Sequence, residues 1–137
     1  MYRVLIPVDD SESRALAQAN YVTSLPNADE EIEAILLFVF TDDSSGDVPR
    51  SVTRVRSVRR AREHLEDHGV EVTVHEDSME AVDNILRHAE EEDVDSIVLG
   101  GRKRSPAGKA LFGSVTQRVI LNTDKPVVVT GENHDEE

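Results

Sequence analysis

With 137 residues, 38% of them hydrophobic, the chain is long enough for one compact domain and too apolar to stay disordered. Its 28 acidic residues against 15 basic ones give a formal net charge of −13, a surface that repels nucleic-acid backbones and anionic membranes. The absence of cysteine excludes disulfide scaffolds, thiol nucleophiles and Cys-ligated zinc.

Tyr2–Val8 (YRVLIPV) is mostly apolar and β-branched, which predicts a buried strand closed by Asp9-Asp10-Ser11. Ala15, Leu16, Ala19 and Val22 then keep helical spacing until Pro26. Glu33–Phe40 is a second strand-like run, containing the longest apolar stretch, Ala34–Phe40, far short of the ~20 residues of a membrane helix. The turn-rich loop TDDSSGDVPRS follows it. Val52, Val55, Val58, Ala61 and Leu65 mark one face of a helix ended by Gly69, and Val70–Val74 forms a short strand. Asp77 with Glu80 three residues later has capping-box spacing for a helix that turns Ala81, Val82, Ile85, Leu86 and Ala89 inward. Ser96–Leu99 is a strand running into Gly100-Gly101, and a long loop leads to Gly113 and a helix from Ser114 to about Asn122. Pro126–Thr130 is the last strand, and the acidic tail 132–137 is expected to be disordered beyond a single domain over 1–131.

Five strands alternating with four helices imply an α/β fold: a doubly wound, five-stranded, Rossmann-like parallel sheet with helices on both faces. Such sheets bind ligands beyond the carboxyl ends of their strands, where the strand order reverses. The chain reaches acidic residues within its first ten positions and shows no signal peptide, so a cytoplasmic location is expected.

The cations are concentrated. Arg54, Arg56, Arg59, Arg60 and Arg62 lie together, as do Arg102, Lys103, Arg104 and Lys109; twelve arginines stand against three lysines. An acidic, lysine-poor surface suits hydration in concentrated salt. The second cluster falls in Gly100–Ser114 (GGRKRSPAGKALFGS), between a strand and a helix, where Ser114-Val115-Thr116-Gln117 has capping-box spacing. Gly113 and Ser114 thus place unpaired backbone N–H groups at a helix N-terminus, and glycines let backbone approach a phosphate closely, which together describe an anion site.

Three readings of this loop fail. A Walker A loop would need glycine where Lys103 stands, and Ser or Thr where Ala110 stands. A dinucleotide fingerprint would lead from Gly100-Gly101 directly into a helix. A nucleic-acid patch at Arg102–Arg104 lacks stacking partners, as the chain has two tyrosines and three phenylalanines.

The layout resembles the universal stress protein family, whose nucleotide-binding members carry G-x2-G-x9-G-S/T after the fourth strand. Gly100, Lys103, Gly113 and Ser114 stand at that spacing, with lysine at the second glycine position. The opening VLIPVDDSE, and the runs DSIVLGG and KPVVVT, also look like the family's strands one, four and five. The resemblance covers about residues 2–131. It implies an adenine-nucleotide-binding sensor or regulatory module, with ATP and Mg²⁺ as the ligand. Pro7, Val8, Asp9 and Val39 would surround the nucleoside, Gly100, Lys103, Gly113 and Ser114 the phosphates, and Leu99 and Val115 would flank them. Lys103 could reach a β- or γ-phosphate, or fill the pocket and leave a dimeric interaction module on the same fold. Slow ATP hydrolysis is a further alternative, but no Ser/His/Asp or G-x-S-x-G arrangement supports it.

Other features have competing explanations. Asp9-Asp10 and Lys125-Pro126 superficially match a receiver domain, but the Lys-Pro precedes its strand instead of following it. His64 and His68, at i and i+4, could ligate a metal, yet no third ligand is in view and solvated histidines are the simpler reading; no metal-binding residue is assigned. Val127, Val128, Val129 and Thr130 make an apolar edge strand, which predicts a homodimer through that edge.

Overall fold

Along Tyr2–Val8 (β1) successive side chains alternate between two layers of helices. Val4, Ile6 and Val8 face one layer and Leu5 the other, and all four are fully buried. A strand apolar on both faces belongs in the middle of a covered sheet. In the computed structural model, which describes residues 1–39, 56–76, 80–101 and 113–131, β1 is indeed central. The other strands are β2 (Ile32–Phe38), β3 (Glu71–Glu76), β4 (Ser96–Gly100) and β5 (Val127–Thr130), in the parallel order β3-β2-β1-β4-β5. The predicted doubly wound sheet is therefore present.

Helices α1 (Glu12–Thr23) and α3 (Arg56–Asp67) cover one face, with Ala15, Ala19, Val22, Val58, Ala61 and Leu65 packed on β1 and β2. Helices α4 (Ala81–Glu91) and α5 (Ser114–Asn122) cover the other, where Ile85, Ala89 and Val119 meet Leu5, Ile35 and Ile97. Burying each of these leucines and isoleucines is worth about 1.5–3 kcal/mol, and the two slabs they form are what fix the sheet. At the amino ends of the strands Arg3 acts as a bolt. Its N–H donates to Asp95 Oδ2 at 2.8 Å, its carbonyl accepts from Asp95 N at 2.7 Å, and its guanidinium reaches the Glu92 carbonyl at 2.8 Å.

The structure departs from the sequence reading in local ways. The stripe of α1 buries Gln18 beside Ala15, Ala19 and Val22, whereas Leu16 is only half-buried. A single-turn helix, α2 (Ala28–Glu31), follows Asn27, which takes the left-handed conformation at φ 58°. One turn is too short to leave a periodic signal, and its acidic residues Asp29–Glu31 suit a helix start. β3 runs to Glu76 instead of ending at Val74. α4 is capped by Glu80 itself, whose side chain accepts from Asp83 N. α5 begins after Gly113, so the expected Ser114–Gln117 capping box is replaced by an N-cap with no side chain. Val52, Val55, Asp77, the cations Arg102–Lys109 and the tail 132–137 lie outside the described residues.

Two glycines are required by the backbone. Gly69 closes α3 at φ +79°, where its N–H donates to Glu66 O and that of Val70 to Leu65 O, a left-handed helix stop. Gly101 donates to Thr130 O at 2.6 Å, and a Cβ there would stand 2.9 Å from the same oxygen. Gly101→Ala is expected to cost about 1–3 kcal/mol through displacement of β5. Urea unfolding checks this, and a loss below about 0.5 kcal/mol would show that β5 yields freely.

Candidate functional site

The hydrogen-bond ladder between β1 and β2 runs from Tyr2↔Ile32 to Val8↔Phe38, but that between β1 and β4 stops after Leu5↔Ile97. The strand order reverses between β1 and β4, the position at which doubly wound sheets open a crevice. Where the ladder stops, Gln18 from α1 takes its place. Its buried amide donates from Nε2 to the carbonyls of Pro7 at 2.6 Å and Val98 at 2.9 Å, bridging the two diverging strands.

Above this bridge lies a cleft of about 130 Å³, an order of magnitude beyond the ~10–15 Å³ that one water needs. Val39, Ala81, Ile85 and Leu99 give it an apolar wall. Gly113 and the first residues of α5 also line it. Among the described residues no side chain caps α5, whose N-cap is Gly113, and the backbone N–H groups of its first turn suit an anion, reinforced by the helix dipole.

Its charged edge is organised by the turn after β1. Asp9 Oδ1 accepts from Ser11 N at 3.0 Å, and Oδ2 accepts from Arg14 Nη2 at 2.9 Å. The Asp9–Arg14 pair is half-buried, so it is screened less than a surface pair. Ser11 caps α1 through its side chain, and Ser57 Oγ donates to the Asp9 carbonyl at 2.5 Å. Both carboxylate oxygens of Asp9 thus have partners.

Of the ten residues singled out from sequence, Pro7, Asp9, Val39, Leu99, Gly100, Gly113, Ser114 and Val115 line this one cleft. Val8 does not. Its side chain points into the opposite layer against α1 and α3, and its carbonyl accepts from Val39 N at 2.9 Å. This follows from strand alternation: with Pro7 towards the cleft, Val8 faces away. Lys103 lies outside the described residues. The sequence reading missed Arg14, Gln18, Ala81, Ile85 and Thr116, all in the cleft wall.

Over this fold and site the family comparison is decisive. The model of the universal stress protein family matches residues 1–131. The chain belongs to that family. A relative from Mycolicibacterium smegmatis, described as a universal stress protein, is 36% identical over 76 residues, 55% of this chain and 58% of the relative's length. The solved universal stress protein of Archaeoglobus fulgidus is 26% identical, covers 95% of this chain and 98% of its own, and superimposes with a TM-score of 0.66. A universal stress protein of Archaeoglobus fulgidus in complex with dAMP has the same fold, at 21% identity and TM-score 0.62, with 95% and 98% covered.

The remaining candidates resolve differently in this universal stress protein. Lys125 precedes β5 at the amino ends of the strands and bonds Asp93 Oδ1 at 3.4 Å, whereas Asp9 follows β1 at the carboxyl end. The two halves of a receiver site therefore stand at opposite ends of the sheet. His64 Nε2 lies 3.2 Å from Thr23 Oγ1, and His68 Nδ1 lies 2.8 Å from the His64 carbonyl. Among the described residues this pair gathers no third ligand.

Burial, followed by the nearby His68, lowers the pKa of His64 from its ordinary 6.5, with Asp67 opposing. The unfolded chain therefore takes up this proton at a higher pH than the folded protein. The stabilising contribution is whole above pH 6.5 and is lost as the pH falls below it towards the folded value. Between about pH 7.5 and about pH 5, wild type should lose more stability than His64→Gln in chemical unfolding. Parallel losses would remove His64 from the acid response.

Among the described residues no helix is long and apolar enough to cross a membrane. β5 is an edge strand with all four residues half-buried, and Ile120 and Leu121 on α5 are 41% and 81% exposed.

Proposed function

We propose that this universal stress protein binds an adenine nucleotide, ATP with Mg²⁺, in the cleft between β1 and β4, and acts as a sensor or regulatory module in a cytoplasmic stress response. The observation that carries the reading is that the side-chain-free cap of α5 and a set of apolar side chains line one cleft at the switch point of the sheet. A phosphate is complementary to the first and a purine ring to the second. Universal stress proteins with this fold have been solved with dAMP, cAMP and AMP.

In this reading Gly100, Gly113 and Ser114 cradle the phosphates and Lys103 adds a point charge. Val39 and Leu99 hold the base, and Pro7 and Asp9 border the ribose. Val8 contributes backbone only, and Val115 shapes the wall beside the phosphates. Asp9, held by Arg14 and Ser11, is a positioning carboxylate in this reading and not a free general base.

Titration calorimetry of ATP and AMP with Mg²⁺ at high salt tests this, because screening to a Debye length of roughly 3 Å at 1 M leaves mainly direct contacts. Saturable binding near the micromolar range, tighter for ATP than AMP, is expected. Absence of heat for both nucleotides, with none carried through purification, would overturn the reading.

A second reading rests on the half-buried β5 edge and on Ile120 and Leu121 of α5, which are exposed. It makes Val127–Thr130 a homodimer seam, whether or not nucleotide binds. Light scattering in high-salt buffer should report a dimer, and a monomer at all concentrations would remove it.

A further inference from the structure

On the α4 side of the sheet, among residues that do not line the cleft, three metal-ligating side chains converge. His75 lies on the edge strand β3, His88 on α4, and Glu92 at the C-cap of the same helix. Strand alternation turns Val72 and Val74 towards the α1–α3 layer and His75 towards α4. His88 and Glu92 are one helical turn apart and share a face. The result is a cluster whose ligand atoms all lie within 4.8 Å of one another. His75 Nε2 stands 3.6 Å from Glu92 Oε2, and the two imidazole centroids are 5.2 Å apart at a 43° tilt.

We propose that His75, His88 and Glu92 form a binding site for one divalent transition-metal ion of the zinc class. Metal–nitrogen and metal–oxygen bonds of about 2.0–2.2 Å in tetrahedral geometry place neighbouring ligand atoms roughly 3.3–3.6 Å apart. The His75–Glu92 separation is already close to that, and the remaining closure is within reach of side-chain rotation. Two imidazoles with one carboxylate select zinc, cobalt, nickel or copper over magnesium and calcium, which prefer oxygen shells. His88 is buried while His75 and Glu92 are each about one-third exposed, so the floor of the site is fixed and its mouth opens to solvent. Three protein ligands leave a fourth position for water or for an external donor. One turn before His88, Asn84 is fully buried, and among the described residues neither of its amide atoms finds a hydrogen-bond partner. The site ties β3, which pairs with β2 on one side only, to the helix layer.

The test uses the full chain with Zn²⁺ and Co²⁺ alone in a non-chelating high-salt buffer, which suppresses diffuse binding to surface carboxylates. Calorimetry should give one equivalent, and bound Co²⁺ should gain visible absorption on leaving its six-coordinate aqueous state. His75→Gln and Glu92→Gln, both at the exposed mouth, should each weaken binding at least about tenfold, with His64→Gln unchanged. Circular dichroism verifies that each variant is folded, and Glu92→Gln decides the matter if His75→Gln is not. Absence of a saturable equivalent in wild type would overturn the proposal, as would equal affinity in wild type and Glu92→Gln or loss only in His64→Gln. None of these readouts depends on nucleotide binding.

Discussion

Gly113→Asp should lose ATP affinity by more than about a hundredfold while melting no earlier than wild type. The two halves of that expectation have separate physical origins. Gly113 has φ −69° and ψ 165°, extended backbone open to any residue, and aspartate is among the best helix N-caps. Its carboxylate would accept the first-turn N–H groups of α5 and complement the helix dipole, so stability should hold or rise. Those same N–H groups are the proposed phosphate ligands. Filling them, and placing a negative charge about 4 Å from another, opposes binding by a few kcal/mol at an effective dielectric of about 20. At 1.4 kcal/mol per decade this moves a micromolar ligand to the edge of detection. Calorimetry and thermal melting on the same sample check it. Unchanged affinity would place the phosphates elsewhere, and lost affinity with a collapsed melting curve would identify a folding defect.

Gln18→Leu is expected to destabilise the protein by about 2–4 kcal/mol, a fall in Tm of roughly 6–12 °C. Leucine nearly preserves the volume, so the loss is polar and not steric. The Gln18 amide donates to Pro7 O and Val98 O at the place where the β1–β4 ladder has ended. Each carbonyl left without a donor costs about 1–3 kcal/mol, reduced where cleft water can reach it. Nucleotide affinity should fall as well, because Gln18 lines the cleft and holds its two sides at a fixed separation. Urea unfolding measures the first effect. A loss below about 1 kcal/mol would mean that water substitutes for the amide.

The sheet was legible because its strands are continuous apolar runs, as in Val4–Val8, and its helices carry period-3.6 stripes. Gly100, Gly113 and Ser114 were legible as a candidate site because glycines at fixed offsets suit a backbone that meets a ligand, and all three line the one cleft. Gln18 was visible too, in retrospect. It occupies a core position of the Ala15–Ala19–Val22 stripe, and a polar residue there signals a buried hydrogen-bonding task. Ala81 and Ile85 read only as core residues, since nothing local distinguishes a residue packed on the sheet from one packed on a cleft. The His75–His88–Glu92 cluster was illegible for a different reason. Two of its members share a helix turn, but the third arrives from another element, and no spacing rule relates a strand position to a helix position.

The central place of β1 also bears on how the chain folds. Arg3 and Glu33, across the β1–β2 seam, are 30 residues apart in sequence, whereas Arg3 and Asp95, across the β1–β4 seam, are 92 apart. Closing the longer loop carries the greater entropic cost, and contacts of such separation slow folding. During synthesis β1, β2 and β3 emerge first, leaving the far edge of β1 exposed as an unpaired template until β4 is made. That seam pairs only at its lower end, through Val4↔Ser96 and Leu5↔Ile97. The crevice opens where that pairing ends, so the long-range contact that is slowest to form is also the one that leaves room for a ligand.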